Sequence, residues 1–137
     1  MIAVLDASMA VNIIRKDPAS LAAKETLEQF DSVIAPSFFK LEVASALSKY
    51  VNANVLKNTE ALELFNQSCA LVDEYVMLDL LMSEVLLESM RLKHSVYDIP
   101  YLVLARRNGA TLFTCDNRLY KLAAKCGVWV FNDFCTY

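Results

Sequence analysis

The sequence is poor in the residues that interrupt regular structure. Its 137 residues include only two glycines, Gly109 and Gly127, and three prolines. Glycine and proline dominate turns and linkers, so their scarcity argues against flexible linkers, low-complexity segments and all-β folds with many turns. With 56% hydrophobic residues and no internal repeat, the chain is predicted to form a single domain over residues 1–137 around one sizeable core.

Long uncharged apolar runs are also missing. The most apolar region, Val76 to Leu92, is interrupted by four charged residues: Asp79, Glu84, Glu88 and Arg91. No run therefore reaches the roughly 18 residues that a membrane-spanning helix needs. The N-terminus is apolar first and basic later, the reverse of a secretory signal. We therefore expect a cytoplasmic protein without a membrane partner.

Thiols and imidazoles occur in no metal-binding pattern. The four cysteines, Cys69, Cys115, Cys126 and Cys135, include no C-x-x-C pair. Buried reduced thiols are therefore preferred to a zinc site or disulfides. His94 is the only histidine, which excludes a multi-histidine zinc site. We interpret it as a surface or helix-end residue.

Positive charge is not in excess. The chain has 13 lysines and arginines against 16 aspartates and glutamates, a net charge of −3. This balance argues against a protein that binds nucleic acid by overall electrostatic attraction alone. If the protein binds a polyanion, a local feature must offset the repulsion, and a bound metal ion is one such feature.

What the sequence does contain is an alternation of short apolar runs and amphipathic segments. Strands are predicted at "MIAVLD", "SVIAPS", "EYVMLD", "ATLFTCD" and "VWVF". Helices are predicted at "ASMAVNIIRK", "PASLAAKETLEQF", "SFFKLEVASALSKYVNAN", Thr59 to Asp73, "LLMSEVLLESMRLK", "VYDIPYLVLARRNG" and "NRLYKLAAKCG". The order β-α-α-β-α-α-β-α-α-β-α-β, with continuously apolar strands, predicts a three-layer α/β fold. Its sheet is mostly parallel, short-stranded and covered by helices on both faces.

Two acids follow predicted strands. Asp6 ends the first strand and Asp116 ends "TLFTC", and each precedes a helix. Either can be a helix N-cap, worth about 1 kcal/mol. Ligands of parallel sheets gather at the carboxyl ends of strands, so both positions are also candidates for a binding site.

Asp98 has two interpretations. Ser95 to Asp98 fits the S-x-x-[DE] capping pattern, but Pro100 weakens it because a cap at Ser95 would place the proline beyond the first turn. If the helix continues upstream, Asp98 instead shares the core face with Tyr101 and Leu102.

Glu42 lies in the middle of a predicted helix, where no cap requires an acid. A salt bridge to a lysine is one interpretation. The other is that Asp6, Glu42, Asp98 and Asp116 converge on one pocket, where a cation must neutralise them. Oxygen ligands without His or Cys suit Mg²⁺ or Mn²⁺.

These residues carry a family resemblance. "VLDASMAVNII", "PSFFKLEVASALSKY", "VYDIPYLVLARRNGATLFTCDNRLYKLAAKCGV" and the total length resemble PIN-domain ribonucleases, in particular the VapC-type toxins of toxin–antitoxin pairs. The similarity covers essentially the whole chain. Its last third is the most specific part: an acid, an apolar helix, a glycine-ended turn and a strand ending in T-x-D.

The resemblance places the acidic quartet of the family on Asp6, Glu42, Asp98 and Asp116, as catalytic residues and metal ligands. Ser8 and Thr114 match supporting polar positions. It implies a PIN-like fold, Mg²⁺- or Mn²⁺-dependent cleavage of RNA, a cognate antitoxin and a homodimer. Some relatives carry a further acid after the fourth, where this chain has Asn117, which argues against a strongly held second metal.

Several basic residues are candidates for contacts with the RNA backbone, and this is the least specific of the expectations. Arg106, Arg107 and Lys121, together with Lys40, Lys49 and Lys125, are candidates, although each can also be part of a solvated helix face. The alternative function is a PIN-like module that binds RNA or protein without cleaving it. The intact quartet argues against that alternative.

Overall fold

The structure, a computed structural model, describes residues 1–131. These residues form five strands and seven α-helices. The strands are β1 (Ile2–Leu5), β2 (Ser32–Pro36), β3 (Glu74–Val76), β4 (Thr111–Phe113) and β5 (Trp129–Phe131). The helices are α1 (Ala7–Ile14), α2 (Leu21–Leu27), α3 (Phe39–Asn52), α4 (Asn58–Ala70), α5 (Met82–Leu92), α6 (Ile99–Asn108) and α7 (Asn117–Lys125). Their order along the chain is the predicted one.

The five strands form one sheet in the order β3-β2-β1-β4-β5, and every pair of neighbours is parallel. The predicted α/β fold is therefore confirmed. Ala3, Val4 and Leu5 of the central strand are fully buried. Because successive side chains of a strand point to opposite faces, burial of all three shows that both faces of the sheet are covered.

The helices cover the sheet in two groups. Helices α1, α3 and α4 pack against one another, whereas α6 lies against β1, β2 and β4 and carries α5 on its outer side. Helix α6 is the most buried helix, with every residue from Ile99 to Ala105 inside the core. No helix within residues 1–131 combines the length and apolar character needed to cross a membrane.

At two of the helix starts that differ from the predicted ones, a proline lies in the first turn. Helix α6 begins at Ile99, not at Val96, and Pro100 occupies its first turn, where a missing N–H breaks no helical hydrogen bond. The second predicted helix begins as a 3₁₀ turn at Pro18–Ser20 before α2. The predicted end of α6 is confirmed, because Gly109 caps it in the left-handed conformation with φ +56°.

The order of the strands locates a crevice. The chain builds β1, β2 and β3 in one direction and then crosses back through α5 and α6 to place β4 on the other side of β1. In open parallel sheets, the strand ends at such a reversal frame the ligand site. Here those ends are the residues that follow Leu5 and Phe113, which are paired neighbours.

Three of the four cysteines lie within residues 1–131, and no three His, Cys, Asp or Glu residues there form a metal-binding cluster. Cys69, Cys115 and Cys126 are half-buried, and Cys135 lies outside the described residues.

Candidate active site

Asp6 is fixed at the end of β1 by neighbours from both sides of the strand reversal. Its backbone N–H donates to the carbonyl of Phe113 (2.9 Å). Its Oδ2 accepts hydrogen bonds from Thr114 Oγ1 (2.5 Å) and Ser8 Oγ (3.0 Å), and the N–H of Ser8 donates to Oδ1 (3.4 Å). Asp6 is therefore the N-cap of α1 and also a carboxylate held in one orientation.

Ser8 and Thr114 join the ends of β1 and β4. Thr114 Oγ1 accepts a hydrogen bond from the N–H of Asp116 (3.0 Å), and Ser8 Oγ accepts one from the N–H of Cys115 (3.2 Å). Thr114 is fully buried. The two hydroxyls thus link the first and fourth acids through a short hydrogen-bonded path, the arrangement that supporting residues of a site would need.

Asp116 caps α7. Its Oδ1 accepts from the N–H groups of Arg118 (2.8 Å) and Leu119 (3.2 Å). The capping interpretation is correct for both strand-end acids, and it does not compete with the site interpretation, because each cap also lies in the crevice.

Glu42 lies in the first turn of α3 and not in the middle of a helix as predicted, because α3 begins at Phe39. An acid there is favoured by the helix dipole. A salt bridge to a lysine, one of the two interpretations of Glu42, is absent from residues 1–131. Instead Glu42 Oε1 accepts a hydrogen bond from the buried hydroxyl of Tyr101 (2.5 Å), on α6.

Asp98 stands at the N-terminus of α6 without capping it. The capping box with Ser95, one of the two interpretations of Asp98, is not formed; Ser95 Oγ accepts from the N–H of Tyr97 instead (3.3 Å). Asp98 Oδ2 lies 2.8 Å from Nε2 of His94. His94 follows the end of α5, which agrees with the helix-end interpretation, and its side chain is 11% exposed.

The four acids meet around one cleft, which we call the acidic cleft. Its volume is about 230 Å³, and its lining includes Asp6, Ser8, Glu42, Asp98 and Asp116, together with Ala7, Ser45, Ala46 and Lys49. Within residues 1–131, none of the four acids forms an ion pair with a lysine or an arginine.

Burial, assisted by uncompensated charge, changes the pKa values of groups in the cleft. Burial raises the pKa of Glu42 to about 7, against the effect of the Tyr101 hydrogen bond and assisted by the charges of Asp6, Asp98 and Asp116. Burial also raises the pKa of Asp6, although Thr114 and Ser8 oppose this. The pKa of Tyr101 is raised by burial and by the neighbouring carboxylates, so its hydroxyl stays protonated and can donate to Glu42.

The donor chemistry of the cleft fits a hydrated Mg²⁺ or Mn²⁺. No three acidic, histidine or cysteine side chains of the described residues are arranged closely enough to hold a metal ion by themselves. Mg²⁺ keeps several of its waters and binds through one or two carboxylates, so a cleft lined by four separately anchored carboxylates suits it. A cation would also offset the charges of Asp6, Asp98 and Asp116, which add to the effect of burial on the pKa of Glu42.

The predicted RNA-contacting residues lie in different surroundings. Arg106 and Arg107, at the far end of α6 from Asp98, are bound by Glu84 and Glu88 of α5 at 2.7 to 2.8 Å. We call these residues and Arg91, which pairs with Glu88, the α5–α6 ion-pair cluster. Lys121 is exposed on α7. Lys49, two turns after Glu42 on α3, lines the acidic cleft.

Comparison with known proteins decides the family. The family model of the PIN domain matches residues 3–125. The chain belongs to the PIN-domain family. Ribonuclease VapC12 of Mycobacterium tuberculosis, from strains CDC 1551 / Oshkosh and ATCC 25618 / H37Rv, is 32% identical to this PIN domain over 117 residues, 85% of this chain and 88% of the relative. The predicted resemblance to VapC-type PIN proteins is thereby confirmed.

A solved structure supports the fold of this PIN domain. The crystal structure of PAE2754 from Pyrobaculum aerophilum matches with a TM-score of 0.64, covering 91% of this chain and 88% of that chain. The sequence identity is 17%, so the likeness concerns the fold alone.

Two side chains that hold the acids were not among the predicted site residues. Tyr101 follows Asp98 by three positions on α6, a helical spacing that was visible but was interpreted only as core packing. His94 precedes Asp98 by four positions, which is also a helical spacing. As the only histidine, it was interpreted as a surface or helix-end residue and not as a partner of Asp98.

Proposed function

We propose that this PIN domain is a metal-dependent endoribonuclease that hydrolyses RNA phosphodiesters and acts as the toxin of a toxin–antitoxin pair. The observation that carries the proposal is the convergence of Asp6, Glu42, Asp98 and Asp116 on one cleft without an ion pair to lysine or arginine among the described residues. The name ribonuclease on a relative that is 32% identical supports the same reaction.

The four acids have different proposed roles. Asp6 and Asp116, whose backbones are tied to adjacent strand ends, are the principal ligands for Mg²⁺ or Mn²⁺, and Asp98 and Glu42 complete the site directly or through water. When bound, the ion supplies positive charge that lowers the pKa of a water and stabilises the departing oxygen.

The chain itself would move the proton. Glu42 is the proposed general base, and its carboxyl group lines the acidic cleft. Its contact with Tyr101 fixes one carboxylate oxygen and leaves the other to accept a proton from the attacking water. Ser8 and Thr114 keep Asp6 in place during this exchange.

Lys49 is the best placed of the proposed backbone-contacting residues, because it lines the acidic cleft. Arg106 and Arg107 would have to leave Glu84 and Glu88 before they could bind phosphate. Lys121 would extend the positive rim along α7.

The proposed partners are an RNA substrate, a cognate antitoxin protein and a second copy of the chain, in the cytoplasm. A homodimer needs an apolar face, and α5 exposes Leu86, Leu87 and Met90 at 54%, 63% and 60%. Sedimentation of the isolated chain tests the dimer. Growth arrest on expression, relieved by the product of a neighbouring gene, tests the toxin role.

A cleavage assay tests the reaction. Purified protein is incubated with labelled RNA and Mg²⁺ or Mn²⁺, with and without a chelator. Asp116→Asn is the informative variant, since asparagine caps a helix as well as aspartate does and only the charge is lost. Asp79→Asn, an exposed acid outside the cleft, is the matched control.

We expect cleavage by the wild type and by Asp79→Asn, and loss of cleavage with chelator or in Asp116→Asn. Metal-insensitive cleavage of equal rate in all samples would contradict the proposal. RNA binding without any cleavage would favour the catalytically silent module.

A further inference from the structure

We propose that His94 is a positioning residue for Asp98, holding one oxygen of that carboxylate so that the other is available to a cation in the acidic cleft. The inference deepens the proposed function and depends on it for the role of Asp98.

The contact has the geometry of a charge-assisted hydrogen bond. Nε2 of His94 lies 2.8 Å from Oδ2 of Asp98, and the two side chains are 11% and 23% exposed. An ionised carboxylate can only accept hydrogen bonds, so the imidazole donates through Nε2. A largely buried donor at this distance restricts the rotation of the Asp98 side chain.

The backbone conformation and hydrogen bonds around His94 hold this residue in place. Helix α5 ends at Lys93 in the left-handed conformation, with φ 53° and ψ 47°, which is unfavourable for a residue with a Cβ atom. The N–H of His94 then donates to the carbonyl of Ser89 (3.2 Å), and Ser89 Oγ donates to the carbonyl of His94 (2.5 Å). A residue held at both its N–H and its carbonyl has little freedom to withdraw its side chain.

Asp98 has more need of such a partner than the other three acids. Asp6 is held by two hydroxyls, Asp116 by two backbone N–H groups and Glu42 by Tyr101. Asp98 makes no capping bond to α6. Hydrogen-bonded partners of ligating carboxylates typically contribute 10- to 100-fold to metal affinity, because they orient the ligand before the metal arrives.

Mn²⁺ affinity is the informative readout, measured on the full chain by calorimetry or by electron paramagnetic resonance of free Mn²⁺. Replacing the donor with an apolar side chain, His94→Leu, is expected to weaken Mn²⁺ binding about 10-fold. His94→Gln, which keeps an N–H donor, should bind Mn²⁺ within about 3-fold of the wild type. In an Asp98→Ala background, His94→Leu should have almost no further effect, because the carboxylate on which it acts is gone.

The opposite results would overturn the inference. They are unchanged Mn²⁺ affinity in His94→Leu, no rescue by His94→Gln, or an equal loss in the Asp98→Ala background. A lower melting temperature with unchanged Mn²⁺ affinity would show that His94 has only a structural role, and this result would also overturn the inference. If His94→Leu does not fold, His94→Asn takes its place, because its shorter reach should also weaken binding.

The experiment separates this inference from the proposed function. A wild type that binds no Mn²⁺ would overturn both. A wild type that binds Mn²⁺ and cleaves RNA, with variants at His94 that do the same, would overturn the role of His94 alone.

Discussion

Two groups of carboxylates on this PIN domain have different kinds of bonding partner. In the α5–α6 ion-pair cluster, Glu84 and Glu88 are bound by arginines at 2.6 to 2.8 Å. In the acidic cleft, four carboxylates are held by hydroxyl, imidazole and backbone N–H groups. The two groups belong to the same helical framework, since α6 contributes residues to both.

The pKa values of Glu88 and Glu42 reflect this difference in bonding partners. Hydrogen bonds from Arg91 and Arg106 lower the pKa of Glu88 to about 2, whereas burial and neighbouring acids raise that of Glu42 to about 7. The surface cluster is complete without any further ion. The acidic cleft brings together negative charges whose burial without a counter-ion costs free energy of folding. Such an arrangement is typical of a site that binds a cation.

The largest expected effect is on cleavage. Asp6→Asn keeps an oxygen that can accept from Thr114 and Ser8 but removes the charge, and it should lower metal-dependent cleavage by more than about 100-fold, since loss of mere supporting groups already costs 10- to 100-fold. Glu84→Gln, which removes a comparable charge from the ion-pair cluster, should change the rate by less than about 2-fold. Similar losses in both variants, measured as initial rates on one RNA, would remove the distinction between the two groups.

The next effect is on stability in the presence of metal. At a Mg²⁺ concentration about 100 times its Kd, binding to the folded state alone should raise the free energy of unfolding by about 2.7 kcal/mol. Urea titrations should show this increase in the wild type and in Glu84→Gln. Asp116→Asn should show little of it, and a full increase in that variant would place the bound ion elsewhere.

A smaller effect concerns pH. The pKa of Glu42 is raised from 4.5 to about 7, so between these values the folded protein holds a proton that the unfolded chain has lost. Its contribution to stability is therefore complete below pH 4.5 and is lost as the pH rises through about 7. Glu42→Gln should raise the free energy of unfolding at about pH 8 by roughly 1–2 kcal/mol, a range reduced for solvent screening of this half-buried group.

The measurement is a series of urea titrations between about pH 5 and pH 8 without divalent metal. Glu25→Gln, an exposed residue of α2, is the matched control and should keep the wild-type dependence. If Glu42→Gln keeps the wild-type pH dependence of the free energy of unfolding, Glu42 is not the source of that dependence.

The smallest effect belongs to the ion-pair cluster. Glu88→Gln should lower the free energy of unfolding by about 0.5–1 kcal/mol at low salt, and high salt should reduce the difference. Because the pKa of Glu88 is lowered to about 2, its contribution is complete above the ordinary glutamate pKa and is lost as the pH falls through about 2. A loss well above this range, or one that is insensitive to salt, would mean that the cluster is more than a surface network.

Much of the fold could be predicted from short-range patterns. The apolar runs of β1 and β4 and the helical spacing between them fix the order of the elements, and Gly109 marks the end of α6. Asp6 and Asp116 could be placed at strand ends for the same reason. Their contact through Ser8 and Thr114 depends on the pairing of β1 with β4, which the family resemblance implied and periodicity did not.

Two of the contacts that were not predicted are long-range, and this is why they escaped prediction. Tyr101 reaches Glu42 across 59 positions of sequence, and Arg106 reaches Glu84 across 22. The second contact changes the environment of a residue predicted to bind RNA. No local pattern distinguishes an arginine that is free to bind phosphate from one already bound by a neighbouring helix.

The most direct test of the account is the location of Mn²⁺ in crystals of the protein, determined from its anomalous scattering. We predict a single principal peak in the acidic cleft, within coordination distance of a carboxylate oxygen of Asp6 or Asp116, and no peak at Glu84 or Glu88. A peak at the α5–α6 ion-pair cluster, or a fully ordered cleft without Mn²⁺ at concentrations that support RNA cleavage, would contradict it.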